Sequence, residues 1–381
     1  MKKKIFTALG LMSGTSMDGV DLSVIKSDGF GEVEQLFDKY YEFNDDLYIE
    51  LIKLREDLNT FEDFKKNSKK IIEIEKKFTL FNCKIVKQLQ YETSYKIDLI
   101  GFHGQTILHL PKKRISEQLG DGNLLSQLSR CEVVNKFRQN DLDNNGQGAP
   151  LAPIFHYLIA KKLNLNFNLD YPMNIINIGG ITNVSQIINP ENLEENIFAF
   201  DIAPGNCLID QWLRKNSDRK YDNNGELANS GKVNDLIFNQ AIENFRISTI
   251  DESLDIKDFD LSFVKGLDLE DGCATLTKFT AYLISEGLKK IYKKNNIFVK
   301  NYIVCGGGRK NLTLIQTINK FLEGDKIILK DIDQYRMGGD FIESQAFAYL
   351  AIRSKLNLPI SFPNTTRCKK PITGGIINKN Y

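Results

Sequence analysis

The stretch GLMSGTSMDGVDLSVI, Gly10 to Ile25, sets small hydroxyl residues, glycines and one central carboxylate between two apolar runs. Backbone N–H groups bared by Gly14 and Gly19, with the Ser13, Thr15 and Ser16 hydroxyls, suit the oxygens of a phosphate. Asp18 beside them suits a magnesium ion or its waters. The plainer alternative is an ordinary hairpin turn. The pattern returns in MNIINIGGITNVSQII, where Gly179, Gly180 and Asn183 stand between two further apolar runs. A third glycine loop, Gly306, Gly307 and Gly308, lies between an apolar run and a helical pattern. Such a loop lets a ligand approach the backbone closely at a helix N-terminus. Asp201 ends the run IFAFD ahead of a Pro-Gly turn and another helix.

The commoner phosphate signatures are missing. The sequence has no G-x-x-x-x-G-K-[ST], no G-x-G-x-x-G, no H-R-D catalytic loop and no G-x-S-x-G elbow. Ser13 and Ser16 have no histidine nearby to act as base, which disfavours a serine hydrolase. Two glycine hairpins and a Gly-Gly-Gly loop instead suit a nucleotide in a cleft between two domains, its phosphates gripped from both sides.

The elements that position these residues follow from periodicity. Ile5–Met12 and Val20–Ile25 read as strands. The segment from Glu62 to about Gln90 reads as a helix, with Ile71, Ile74, Phe78, Phe81, Ile85 and Leu89 at three- and four-residue spacing. IDLIGFHGQTILHL reads as strand, turn, strand. DLDNNGQGAPLAP is a polar break and the best candidate for a domain boundary. Further helices are expected at Val233–Phe245, Ala274–Lys294 and Phe341–Leu356. Strands alternating with helices indicate an α/β architecture. Gly14 and Gly180 lie close to half a chain length apart, as a duplicated domain with one glycine hairpin per half would place them.

At 381 residues the chain is long enough for two domains. Its 50 basic and 49 acidic residues nearly cancel, which argues against a nucleic-acid-binding surface. Six scattered cysteines with no CxxC pair, and three histidines apart from them, signal neither zinc nor a disulfide framework. They suit a reducing cytoplasm. MKKKIFTALGLM imitates a secretion signal, but no small-residue cleavage site follows and the run leads into the glycine turn, so it reads as the first strand. No apolar stretch is long enough to span a membrane.

Seven blocks taken in order, GLMSGTSMDGVD, GFHGQTILH, GQGAPLAP, NIGGITNVS, FDIAPGNCLID, CGGGRKN and PITGGII, closely resemble the anhydro-N-acetylmuramic acid kinases. These are relatives of sugar kinases, actin and heat-shock ATPases. The resemblance implies a duplicated two-domain actin-like/hexokinase-like ATPase fold, a mixed β-sheet with flanking helices in each domain. The first domain is expected over 1–140 with the tail 360–381, and the second over 141–359. It also implies a cytoplasmic kinase of cell-wall recycling, with ATP and Mg2+ as cofactors, a small amino sugar as its partner, no membrane or nucleic acid, and a homodimer.

The implied reaction converts 1,6-anhydro-N-acetylmuramic acid, water and ATP into N-acetylmuramic acid 6-phosphate and ADP. The 6-oxygen is an ether in the bicyclic sugar and carries no proton. The base is therefore needed for a water that attacks the anomeric carbon, and Asp201 is the candidate. By residue-wise match, Gly14, Thr15, Ser16, Met17, Asp18, Gly19, Val20 and Asp21 line the phosphates, joined by Gly179, Gly180 and Asn183, with Asp18 near the metal. Gly306–Gly308 border the adenosine. Gln105, Arg138 and Glu343 contact the sugar, Arg138 through its lactyl carboxylate. Each has a plainer alternative: a helix cap for Asp201, a turn former for Asp18, a surface ion pair for Arg138, a helix-dipole partner for Glu343, close packing for Gly306–Gly308. His103 reads as a hydrogen-bonded packing residue. Ile202, Ala203, Arg367 and Phe102 depart from the family pattern. A kinase of another sugar, or a nucleotide-dependent interaction protein, are the alternatives.

Overall fold

The computed structural model describes residues 4–245, 250 and 252–380; the basic head Met1–Lys3 and the last residue, Tyr381, lie outside them. The chain divides into two compact units, Met1–Leu158 with Phe341–Tyr381, and Ile159–Asp340.

The first unit opens with an antiparallel meander, β1 (Phe6–Ser13), β2 (Gly19–Ser27) and β3 (Val33–Glu42). After the helix Ser68–Glu92 come β4 (Leu99–Leu110), β5 (Ile115–Leu119) and β6 (Glu132–Asn135). The second unit repeats the plan with β7 (Met173–Ile178), β8 (Ile181–Ile187) and β9 (Ile197–Pro204), followed by β10 (Asn301–Cys305) and β11 (Leu329–Asp331). A last strand, β12 (Ile376–Asn378), returns to the first sheet. The sheet orders are β12-β6-β4-β1-β2-β3, with β5 on β4, and β11-β10-β7-β8-β9. In each, the leading hairpin strand takes an antiparallel neighbour on one side and a parallel one on the other. The expected duplication is thus present in the topology.

The strand β1 shows how its sequence sets its surroundings. It is buried along nearly its whole length, as a central strand covered on both faces must be. Leu9 and Leu11 point into the core that holds Ile71, Ile74 and Phe78 of the helix Ser68–Glu92. Gly10 points the other way, where an added Cβ would strike the Ser344 carbonyl, and at Gly101 of β4 it would strike that of Phe347. Two glycines therefore let the helix Ile342–Lys355 lie with its backbone against the sheet. That contact assigns the helix to the first unit, so the unit boundary falls at 340/341 rather than at the expected 359/360.

Other elements differ from their sequence reading in instructive ways. The expected helix from Glu62 is two helices, Phe61–Lys66 and Ser68–Glu92, parted at Asn67. IDLIGFHGQTILHL is one strand and not two: β4 pairs with β1 and β6 along its first half and with β5 along its second. Gly104, at φ +79, takes up the kink between them. The helices expected in the second half are present as Asp235–Asn244, Leu269–Asn295 and Ile342–Lys355. DLDNNGQGAPLAP is no boundary, because it is anchored within the first unit, as shown below.

Candidate active site

In the first unit, the turn between β1 and β2 is held by one buried side chain. Met17 adopts a left-handed conformation, φ +58, and its N–H donates to the Gly14 carbonyl at 3.2 Å. Its side chain is fully buried in the core, as is Val20, so both offer a ligand only their backbone. Thr15, Ser16, Asp18 and Asp21 remain partly exposed. The Ser16 hydroxyl donates to Asp18 Oδ1 at 2.5 Å. Gly14 has open space where a side chain would stand, whereas Gly19 is crowded by Tyr40 and Tyr41.

A brace sits behind this turn. Gln105 of β4 lies opposite Ser13 in the strand register and is 1% exposed. Its Oε1 accepts from Ser13 Oγ at 2.6 Å, and its Nε2 donates to the Gly14 carbonyl at 3.0 Å. Ser13 Oγ also lies 2.8 Å from the Gly19 carbonyl. Both ends of the Gln105 amide are engaged with the turn, so its part here is to fix the loop, a role the match to a sugar contact did not suggest.

Arg138 follows β6 and is held by two acceptors: Nη1 donates to the Gly148 carbonyl at 2.7 Å, and Nη2 meets His103 Nε2 at 2.9 Å. Gly148, at φ +73, donates its N–H to Asp141 Oδ2 at 2.7 Å. Asp141 is 1% exposed, and its Oδ1 accepts from the Ser361 and Thr366 hydroxyls at 2.5 and 2.6 Å. This carboxylate, hidden in what looked like a linker, ties the GQGAP loop to the C-terminal tail. Glu343 lies partly buried in the first turn of the helix Ile342–Lys355, where its charge favours the helix dipole. Its neighbour Ser344 is fully buried, 2.6 Å from Ser23 Oγ of β2.

In the second unit, β7, β9 and β10 run in the same direction, so their carboxyl ends share one edge of the sheet. Gly179–Gly180, Asp201 and Gly306–Gly308 are all carried there. The Gly179 and Gly180 carbonyls accept from the Asn206 and Gly205 N–H groups, both at 2.8 Å. Asp201, 8% exposed, faces Asn183 across a bulge in the β8–β9 ladder. Its Oδ2 accepts from the Leu254 N–H at 2.9 Å. The cap of the following helix, Cys207–Asn216, is Asn206, so Asp201 is no helix cap.

The three glycines of the Gly306–Gly308 loop divide the work. A Cβ at Gly306 or Gly308 would collide with Asn177 or Ile178, while at Gly307 it would meet open space. Close packing therefore requires glycine at 306 and 308 but not at 307. Behind the loop, Arg309 is 5% exposed and bonds Asp333 at 2.6 Å, Asp340 at 2.5 Å and the Gly306 carbonyl at 3.0 Å. Burial alone would raise the Asp340 pKa, but Arg309 and Lys310 outweigh it and hold the carboxyl below its usual range. Nothing local in the sequence marks this arginine, because its acidic partners lie a helix and a strand further along the chain.

The departures from the family pattern remove no reactive group. Ile202 is fully buried against Gly287 of the helix Leu269–Asn295, and Ala203 is equally buried. Phe102 stacks on Phe78 in the core, ring centroids 6.0 Å apart. Arg367 adopts φ +67, a conformation glycine takes without strain, which accounts for a glycine in the pattern.

Among the described residues no group of three or more histidine, cysteine or acidic side chains is placed to hold a metal, and no helix is long and apolar enough to cross a membrane. Comparison with known proteins agrees with the seven blocks. The chain is 52% identical to an anhydro-N-acetylmuramic acid kinase of Pelagibacter ubique, with the whole of both chains covered. It is 35% identical to that of Zymomonas mobilis, covering 97% of this chain and 99% of the relative. It is 34% identical to that of Brucella canis, covering 97% of each. The anhydro-N-acetylmuramic acid kinase family matches residues 6–380, and the chain belongs to that family.

Proposed function

We propose that this kinase uses ATP and water to open 1,6-anhydro-N-acetylmuramic acid and phosphorylate its 6-oxygen, within the recycling of cell-wall sugar. The observation that carries the reading is Asp201, a nearly buried carboxylate at the carboxyl edge of the second sheet, inside the FDIAPGN block. Ligands of open α/β sheets gather at that edge.

In this reading Asp201 takes a proton from water as the water attacks the anomeric carbon. The bond from that carbon to the 6-oxygen breaks, and the 6-oxygen accepts the γ-phosphoryl group. Gly14–Asp21 offer N–H and hydroxyl donors to the phosphates, and Gly179, Gly180 and Asn183 join them. Gly307 gives the adenosine room. Arg138 meets the lactyl carboxylate, and Glu343 a sugar hydroxyl. Gln105 serves by keeping the Gly14 turn in shape.

Magnesium is held mostly by substrate phosphates and water, with one or two carboxylates from the protein. A single partly exposed carboxylate beside a hydroxyl, Asp18 with Ser16, fits that demand. When bound, the ion neutralises phosphate charge. A homodimer and a cytoplasmic setting are further parts of the proposal, resting on the family; six scattered, buried cysteines without a CxxC pair suit a reducing compartment.

The test is direct. Purified protein with Mg-ATP and the anhydro sugar is expected to release ADP and the 6-phosphate in equal amounts. ADP release only with an ordinary sugar hydroxyl as acceptor would assign a different substrate.

A further inference from the structure

We infer that His103 is a positioning residue for sugar recognition, holding the Arg138 guanidinium from behind as a neutral acceptor. The inference rests on the proposed role of Arg138. His103 lies on β4 two residues before Gln105, so the strand that braces the phosphate turn also presents this imidazole.

The tautomer follows from the partners. His103 Nδ1 lies 2.8 Å from the Gly104 carbonyl, which can only accept, so Nδ1 carries the ring hydrogen. Nε2 then has a lone pair and accepts from Arg138 Nη2, a group that can only donate. The ring is packed against Phe347, centroids 4.4 Å apart, and is 5% exposed. Burial and the adjacent guanidinium both push its pKa well below the usual value, which keeps the lone pair available.

The contrast with Arg309 shows what such a partner accomplishes. Arg309 is bonded by two aspartates that answer its charge. His103 and the Gly148 carbonyl orient Arg138 as neutral acceptors. A guanidinium has five N–H donors in a rigid fork matched to carboxylates, and these two acceptors engage two of them. Holding two of them sets the plane and direction of the fork, which is what a positioning partner contributes.

Three measurements test the assignment together. In the wild-type protein, nitrogen-15 NMR of its three histidines is expected to show His103 as the neutral Nδ1–H tautomer at pH 7. A charged or Nε2–H ring would overturn the inference without any variant. His103→Asn keeps a donor for the Gly104 carbonyl but cannot reach Arg138. It is expected to raise the KM for the anhydro-muramic substrate about tenfold and leave the KM for ATP unchanged. His103→Gln, whose longer amide can offer an oxygen near the former Nε2, is expected to recover part of the loss. Equal effects of Asn and Gln, or parallel losses for sugar and ATP, would make His103 a packing residue only. Arg138→Ala separates the two ideas. If it raises the sugar KM while His103→Asn does not, the positioning role falls alone; if it changes nothing, the sugar-contact role falls and takes the inference with it.

Discussion

The two glycine hairpins occupy the same place in two sheets of like topology, yet they are secured by different means. The Gly14 turn is tied largely by side chains: Gln105 holds the Gly14 carbonyl and the Ser13 hydroxyl, and Met17, whose N–H also meets the Gly14 carbonyl, anchors it in the core. The Gly179–Gly180 turn is tied mainly by backbone, through the Gly205 and Asn206 N–H groups, with the Thr182 hydroxyl donating to the Pro204 carbonyl beside it. Each half thus keeps the strand order while the chemistry has parted. The first turn carries hydroxyls and a carboxylate outward, whereas the second serves as a seat for the segment after Asp201. A loop held by side chains can be loosened by one substitution that spares the strands, and a loop held by backbone cannot.

The largest expected effect lies in the second half. Asp201→Asn keeps size and hydrogen bonding but cannot accept a proton. Turnover is expected to fall about 10²–10⁴-fold, roughly 3 to 5 kcal/mol in the barrier, with ATP affinity and melting temperature retained. Near-normal turnover would remove Asp201 from the chemistry.

Next comes Asp18→Asn in the first turn. Removing the charge is expected to lower turnover about 10–100-fold at limiting magnesium, with partial recovery as magnesium is raised. Full activity across a magnesium titration would reduce Asp18 to a turn former.

Gln105→Leu tests the brace itself. It leaves the Gly14 carbonyl and Ser13 hydroxyl without their amide partner, at a cost of about 1–3 kcal/mol. The KM for ATP is expected to rise, and amide exchange to quicken in the turn before it does in β1. No side-chain truncation around Gly179 is expected to do the same there, and a truncation that did would erase the contrast between the hairpins.

The last comparison sets the units against each other as wholes. All three histidines lie in the first unit, and burial pushes His156 down to about 3, with His103 also lowered. A buried neutral histidine gives full stability above its unfolded pKa, about 6.5. As pH falls below that value, protons bind the unfolded chain but not the folded one. Each such histidine then costs about 1.4 kcal/mol per pH unit, for His156 until pH approaches its folded value. Amide exchange, corrected for its intrinsic pH dependence, is expected to accelerate in the first unit between pH 6.5 and pH 5 more than in the second. Equal acceleration would deny the asymmetry.

Much of this was legible in the sequence, for local reasons. Glycine hairpins, a helical stripe at Ile71–Leu89 and an aspartate before Pro-Gly are short-range patterns, and they gave the strands, the repeat and the leading carboxylate. What escaped depends on register between distant strands. Gln105 becomes a brace only because β4 pairs with β1 so that it faces Ser13. Arg309 becomes a clamp only once Asp333 and Asp340 are folded onto it. Asp141 sits in a stretch whose polarity and glycines look like a linker, and its burial comes from Ser361 and Thr366, far along the chain. Gly104 looked like a turn because left-handed glycines usually are, and here it lets one strand change partners.

The close seat of the helix Ile342–Lys355 over Gly10 and Gly101 has a consequence for how the molecule is made. The first sheet is synthesised early, but the helix that covers one of its faces follows the whole of the second unit. At ribosomal speeds of about 5–20 residues per second, roughly ten to forty seconds pass between the end of the 1–158 segment and the arrival of that helix. Through that interval the glycine-bearing face of β1 and β4 waits without its cover. Residues 1–158 expressed alone lack the piece that closes that face of their core.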